Sequence, residues 1–209
     1  ISSGLVGSEM CIRDRPTVAC QNIILPLNSG DHANIGVANI DAGSSHPCGI
    51  IGSNVSPSSF NCADIGANDV VLSVWSSNFD TASCVATVFI LDTVAPTPPS
   101  CPADVTYLTD PGQCNATASW AEPTGALDNC GATLSGTHSS PSTFSLGANT
   151  ISYTATDFTG NESSCSFTVT VIDAEPPVNS CAPIVQIPGC SPVVALPNPG
   201  VTDNCSVTF

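Results

Sequence analysis

Residues 165–183 read CSFTVTVIDAEPPVNSCAP. Cys165, Phe167, Val169 and Val171 alternate with Ser166, Thr168 and Thr170, the period-two pattern of a strand with one buried face, and Asp173 ends the run before a proline pair. The same order of features stands at residues 84–104, CVATVFILDTVAPTPPSCPAD: a cysteine, an alternating strand, an aspartate, a proline-rich joint and another cysteine. Cys84 and Cys165, Cys20 and Cys101, and Asp92 and Asp173 are each 81 residues apart, and Cys101 and Cys181 are 80 apart. HPCG at 46–49, DNCG at 128–131 and DNC at 203–205 hold the same place in successive copies. A fixed period of this kind marks a unit used in series. The expected organisation is a first repeat at 16–92, a second at 93–173, and the truncated start of a third at 174–209.

Working outward from the opening stretch, the second repeat holds several short strands. DVTYLTD (104–110) is the first, and CNATASW (114–120) places Cys114, Ala116, Ala118 and Trp120 on one face. TISYTATD (150–157) points Ile151, Tyr153 and Ala155 inward and Ser152, Thr154 and Thr156 outward. Gly, Pro, Asn and Ser clusters separate the strands, and no segment has the periodicity of an amphipathic helix. The expectation is an all-β chain of tandem immunoglobulin-like antiparallel β-sandwiches, stapled by disulfides.

These residues carry a family resemblance. CPAD, GQCNATASW, DNCG, FSLGANTISYTATDFTGN and CSFTVTVID make the second repeat resemble a hyalin repeat (HYR) domain along its whole length. The first repeat, with FNCADIGANDVVLSV and CVATVFILD, is similar to a more divergent, bacterial-type version, and the third matches through its first half. The resemblance implies an immunoglobulin-like module of extracellular proteins, associated with adhesion or structural spacing rather than catalysis.

Composition points the same way. Twelve cysteines in 209 residues, regularly spaced, indicate disulfides formed in an oxidising, extracellular compartment. The net charge is −15, and the only basic residues, Arg13 and Arg15, lie in the first fifteen positions. From Pro16 onward no Lys or Arg remains to release counterions from nucleic acid or to dock on anionic lipid, so both classes of partner are excluded. Stability then rests on apolar burial, hydrogen bonds and disulfides, and repulsion among carboxylates is relieved by salt or divalent cations. No apolar run is long enough for a membrane helix. Residues 1–15, ISSGLVGSEMCIRDR, lack the order of a signal peptide and differ in composition from all that follows. They read as translated sequencing-adapter artefact or, failing that, a disordered leader.

In an up-and-down strand arrangement, Cys101 and Cys130 meet at one end of the second sandwich and Cys114 and Cys165 at the other. The expected pairs are therefore Cys101–Cys130 and Cys114–Cys165, each worth roughly 3.5 to 4 kcal/mol through loop closure. By analogy Cys20 pairs with Cys48, Cys62 with Cys84 and Cys181 with Cys205, leaving Cys11 and Cys190 unpaired. The joints TVAPTPPS (93–100) and AEPPVNS (174–180) read as semi-rigid spacers, because proline fixes φ and favours extended geometry, so the repeats are expected end to end as a rod.

Candidate sites are few. Asp92 and Asp173 close the last strand of their repeats, Glu175 follows in the joint, and Asp128 and Asp203 stand in loops expected near the same end. Carboxylates at such junctions could hold Ca2+; the plainer reading is of solvated strand-end and turn residues making local backbone hydrogen bonds. Asp157 and Asn161 in DFTGN read as turn chemistry, with Gly160 or Asn161 at positive φ. His32, His46 and His138 are isolated and no C-x-x-C spacing occurs, which argues against zinc. Trp75 and Trp120 could stack on sugars, but a single tryptophan per sandwich more often packs in the core. Glycosylation triplets occur at Asn54, Asn115 and Asn161, with a Cys-containing one at Asn204.

No nucleophile elbow, metalloprotease helix, P-loop or dinucleotide fingerprint is present, and the scattered acids offer no preferred catalytic pair. The expected role is a non-catalytic, adhesive or structural segment of a larger secreted or cell-surface protein, without a cofactor other than possible Ca2+. Its partners would be other repeats of the same protein and extracellular protein or glycan ligands. A second reading makes the repeats accessory carbohydrate-binding or spacer modules of a secreted hydrolase. A third makes the chain a subunit of a self-associating filament, paired through exposed strand edges.

Overall fold

A computed structural model describes residues 15–180 and 200–205. Two compact units emerge. Among the described residues, the first takes in the chain from Arg15 to Thr97 together with Ala126–Thr133 and Thr156–Ser163; the second holds Pro98–Gly125, Leu134–Ala155, 164–180 and 200–205. The units thus divide the chain differently from the sequence period, because two loops of the second repeat, 126–133 and 156–163, belong to the first unit.

The first repeat contains β1 (Ile23–Pro26), β2 (Ala33–Asn34), a single turn of helix α1 (Val37–Ile40), β3 (Ile50–Ser56), β4 (Ser59–Phe60), a 3-10 turn at Cys62–Asp64, β5 (Gly66–Ser76) and β6 (Thr81–Leu91). One sheet has the order β1-β6-β5-β3, and β2 pairs with β4 in a second. Alternation does the packing. Val70, Leu72 and Val74 of β5 and Ala86, Val88 and Ile90 of β6 are buried against Ala33 and Phe60 of the small sheet, with Ile40 of α1 closing the core.

The second repeat follows the same plan with β7 (Val105–Leu108), β8 (Asn115–Ala118), β9 (Ala132–Gly136), β10 (Ser142–Ser145), β11 (Gly147–Asp157) and β12 (Glu162–Ile172). Its sheets are β7-β12-β11-β9 and β8-β10. Ile151 and Tyr153 of β11 and Phe167, Val169 and Val171 of β12 pack on Ala116, Ala118 and Phe144 of the facing sheet. The strand faces read from the period-two pattern are the buried ones: Ile151, Tyr153 and Ala155 are inside, and Ser152, Thr154 and Thr156 lie toward solvent. Beyond the second joint, β13 (Val178–Ser180) pairs antiparallel with β14 (Gly200–Thr202). The described chain is all-β apart from the two single turns, and each repeat is a two-sheet sandwich.

One departure reorganises the cysteines. The first strand of each repeat runs parallel to the last: β1 pairs with β6 (Ile23 opposite Val88) and β7 with β12 (Val105 opposite Val169). In an up-and-down arrangement they would not be parallel neighbours. Cys101 stands four residues before Val105 and Cys165 four before Val169, so the two starts lie side by side and Cys101 bonds Cys165, not Cys130. Cys20 likewise bonds Cys84 instead of Cys48. The remaining pairs join successive repeats: Cys62 bonds Cys130, not Cys84, and Cys114 bonds Cys205, not Cys165. Cys205 is therefore not available to Cys181, and Cys48 is itself disulfide-bonded, though not to Cys20. Cys11, Cys181 and Cys190 lie outside the described residues.

Candidate functional site

The clearest concentration of chemistry lies where β6 ends, inside the first unit. Asp92 follows β6 directly, Asp128 comes from the loop that Cys130 ties to Cys62, and Asp157 ends β11. One carboxylate oxygen from each lies within 4.8 Å of the others. Asp92 is 5% exposed and Asp157 7%.

Each carboxylate is held by its local backbone. Asp92 accepts through Oδ1 from the Val94 amide at 3.0 Å, an Asx turn into the proline joint, and from the Asn129 side-chain amide at 3.2 Å. Asp128 accepts through Oδ2 from the Cys130 amide at 2.8 Å. Asp157 is the most enclosed in hydrogen bonds. Its Oδ1 accepts from the amides of Thr159 (2.8 Å), Gly160 (2.7 Å) and Asn161 (2.9 Å) and from the Thr159 hydroxyl (3.0 Å), while Oδ2 accepts from the Asn161 side chain at 2.7 Å. Gly160, at φ +93, closes this loop in a conformation that only glycine adopts freely. Burial alone would raise the Asp157 carboxyl, but the Asn161 and Thr159 hydrogen bonds outweigh it and hold it below the ordinary value of 3.8. The group is ionised at neutral pH.

The same loop reaches Asp92 from the other side. The Asn161 side chain donates to the Asp92 carbonyl at 3.1 Å and to that of Val94 at 3.4 Å, and the Thr159 hydroxyl donates to the Asp92 carbonyl at 3.3 Å. Three side-chain oxygens of these residues and of the adjoining Asn129 nevertheless remain bare: Asp92 Oδ2, Asp128 Oδ1 and Asn129 Oδ1 are buried and accept no hydrogen bond. Among the described residues the only Lys or Arg is Arg15, so no basic side chain balances the cluster. At separations of no more than 4.8 Å and an effective dielectric constant of about 20, each pair of ionised carboxylates would repel by roughly 3 kcal/mol or more.

A related pair recurs in the second unit. Asp173 accepts from the Glu175 amide at 3.0 Å and Asp203 from the Cys205 amide at 2.9 Å, repeating the turns of Asp92 and Asp128. Here both aspartates are half-buried, and the third nearby group is the Cys205 sulfur, which is spent in its disulfide with Cys114. Glu175 turns elsewhere: its carboxylate accepts from the Gly112 amide at 3.0 and 3.2 Å. Of the acids singled out in the sequence, the structure brings Asp92 near Asp128 and Asp173 near Asp203. The sequence reading left Asp157 out of the cluster, because its turn role is visible in DFTGN while Asp92 and Asp128 lie 65 and 29 residues away in the chain.

The other candidates are placed as follows. The Trp120 ring packs on Phe144 and Phe167 at 5.9 and 5.7 Å, and its indole N–H donates to the Tyr153 hydroxyl at 2.7 Å. The Trp75 ring covers Gly52, where a Cβ would collide with it. Both tryptophans are half-buried packing residues. Asn54 is exposed and Asn115 half-buried, whereas the Asn161 amide is committed to Asp157 and to two backbone carbonyls. The Asn204 amide donates to the Gln113 carbonyl at 2.8 Å. No helix among the described residues is long and apolar enough to cross a membrane.

Residues 91–171 match the model of the HYR domain. The chain is 42% identical over 108 residues to the rat (Rattus norvegicus) Sushi, von Willebrand factor type A, EGF and pentraxin domain-containing protein 1, and 39% identical over 105 residues to hyalin of Strongylocentrotus purpuratus. These alignments cover 50% and 47% of the chain but span only 3% and 9% of those two proteins. Among solved structures, Sidekick-1 immunoglobulin domains 1–4 align at 12% identity with a TM-score of 0.40, covering 75% of this chain and 48% of that one. Its disulfides and these relatives make the chain extracellular, secreted or at a cell surface. The stretch from residue 91 to residue 171 belongs to the HYR domain family.

Proposed function

We propose that the chain is a non-catalytic segment of a larger extracellular protein, in which the repeats set spacing and present surface for adhesion to matrix or cell-surface partners. The observation that carries this reading is the HYR match at residues 91–171 on a sandwich stapled within each repeat by Cys20–Cys84 and Cys101–Cys165 and between repeats by Cys62–Cys130. Covalent ties of both kinds suit a chain that bears load or persists outside the cell. The absence of Lys and Arg after Arg15 also removes every trypsin site from its body.

Accessory carbohydrate binding is the weaker reading because neither tryptophan is free to stack on a sugar: Trp120 spends its ring and N–H inside the second sandwich, and Trp75 lies over Gly52. Beads coated with the full chain, presented to cells and to immobilised matrix proteins, test the proposal. Saturable retention of the beads, abolished by soluble chain, is the expected result. Selective binding on a glycan array with no retention by cells or matrix would replace adhesion with carbohydrate recognition. Filaments growing from the purified chain alone would replace it with self-assembly.

A further inference from the structure

We propose that Asp92, Asp128 and Asp157 form a calcium site, with the side-chain oxygen of Asn129 as a further donor. The cluster alone would not carry this, since acidic turns are common on protein surfaces. The bare oxygens do. Asp92 is 5% exposed, yet its Oδ2 accepts no hydrogen bond, and Asp128 Oδ1 and Asn129 Oδ1 are buried in the same state. A solvated strand-end aspartate would have water on that oxygen; a buried one needs a donor or a cation. No Lys or Arg other than Arg15 occurs among the described residues, and no histidine belongs to the cluster.

The donor set selects the ion. Carboxylate and amide oxygens without nitrogen or sulfur suit Ca2+ or Mg2+ rather than zinc or copper. Geometry separates the first two. Mg2+ demands near-ideal octahedral ligation and dehydrates reluctantly, whereas Ca2+ accepts irregular sets of six to eight oxygens. The three carboxylate oxygens lie no more than 4.8 Å from one another and are held by three separate turns, an irregular set that suits Ca2+. Waters would complete the coordination shell that Ca2+ prefers. The ion would pin the 126–133 loop and the 156–163 loop to the end of β6 within the first unit, replacing mutual repulsion by a shared bond. Its binding is independent of whether the module adheres to anything.

The test uses the full chain, disulfides intact, after removal of cations with EDTA. Titration calorimetry should show binding of a single Ca2+ with a dissociation constant on the order of 0.1 to 1 mM, the range of extracellular modules. The melting temperature should rise with it. Asp128→Asn, on the least buried of the three carboxylates, should weaken binding roughly tenfold or more, whereas Asp173→Asn should leave it unchanged. No heat and no change in melting temperature for the wild-type chain would overturn the proposal without recourse to any variant. Undiminished binding by Asp128→Asn, or loss of binding in Asp173→Asn, would overturn the assignment of residues, and an equal gain from Mg2+ would overturn calcium.

Discussion

The side-chain amide of Asn161 donates to the backbone carbonyl of Asp92 at 3.1 Å, so the last loop of the second repeat is bonded to the last residue of the first. The same amide also bonds the Asp157 carboxylate at 2.7 Å. Replacing Asn161 with Ala leaves a buried carboxylate short of a donor and releases the Asp92 and Val94 carbonyls. The expected loss is about 1 to 3 kcal/mol of unfolding free energy, read from urea denaturation. Asn54→Ala, at an exposed position of β3, should stay within about 0.5 kcal/mol of wild type. If the two variants unfold at the same urea concentration, the Asn161 bonds contribute nothing.

The cysteine pairing is open to direct mapping. Digestion under non-reducing conditions at acidic residues, since trypsin has no site after Arg15, should release peptides joined as Cys20–Cys84, Cys62–Cys130 and Cys101–Cys165. A Cys101–Cys130 peptide would contradict the parallel pairing of β7 with β12. Replacing both Cys101 and Cys165 by Ser should remove roughly 4 kcal/mol, the loop-closure value for a separation of 64 residues.

These pairs show which parts of the fold were legible in the residues. Strand faces were, because burial on one side of a sheet imposes a two-residue period that local sequence records: Ile151, Tyr153 and Ala155 needed no partner to be read as inward. Strand neighbours were not. Whether β7 lies beside β8 or beside β12 depends on pairing across 64 residues, and nothing in VTYL itself distinguishes the two. The acidic centre divides in the same way. Asp92 and Asp128 stood out by their place in the repeat, but Asp157 looked complete as a turn residue and joins the others only through the fold. Its counterpart one period earlier is Ser76, buried with an unpartnered hydroxyl, so the repeat register alone gives no hint of a carboxylate there.

Two glycines are fixed by aromatic rings instead of by turns. A Cβ on Gly136 of β9 would stand 2.6 Å from the Tyr153 ring, and one on Gly52 of β3 would enter the Trp75 indole. Tyr153 cannot swing away, since its hydroxyl accepts from the Trp120 indole and its ring is 3% exposed. Gly136→Ala should therefore cost about 1 to 3 kcal/mol, the usual range for overpacking. Gly30→Ala, in an exposed loop where the nearest neighbour is the Asn28 side-chain oxygen at 3.3 Å, should cost less. Equal denaturation midpoints for Gly136→Ala and wild type would mean that the ring yields freely.

The turn after α1 supplies a pH-dependent contribution separate from the acidic centre. Asp41 accepts through Oδ1 from the Ser44 amide at 2.7 Å and the Gly43 amide at 3.1 Å. The Ser44 amide, then the Ser44 hydroxyl, hold its carboxyl below the ordinary value of 3.8, against a small opposing effect of burial. A carboxyl lowered on folding binds its proton more weakly in the native chain than in the unfolded one. Its stabilisation is therefore complete above pH 3.8 and is lost as the pH falls from there through the lower native value. Asn at this position keeps an acceptor oxygen but cannot ionise. Wild type should thus melt above Asp41→Asn at neutral pH, with the difference narrowing only in the acid range. A gap that stays constant from neutral pH down through the acid range would show that the Asp41 charge contributes nothing to the turn.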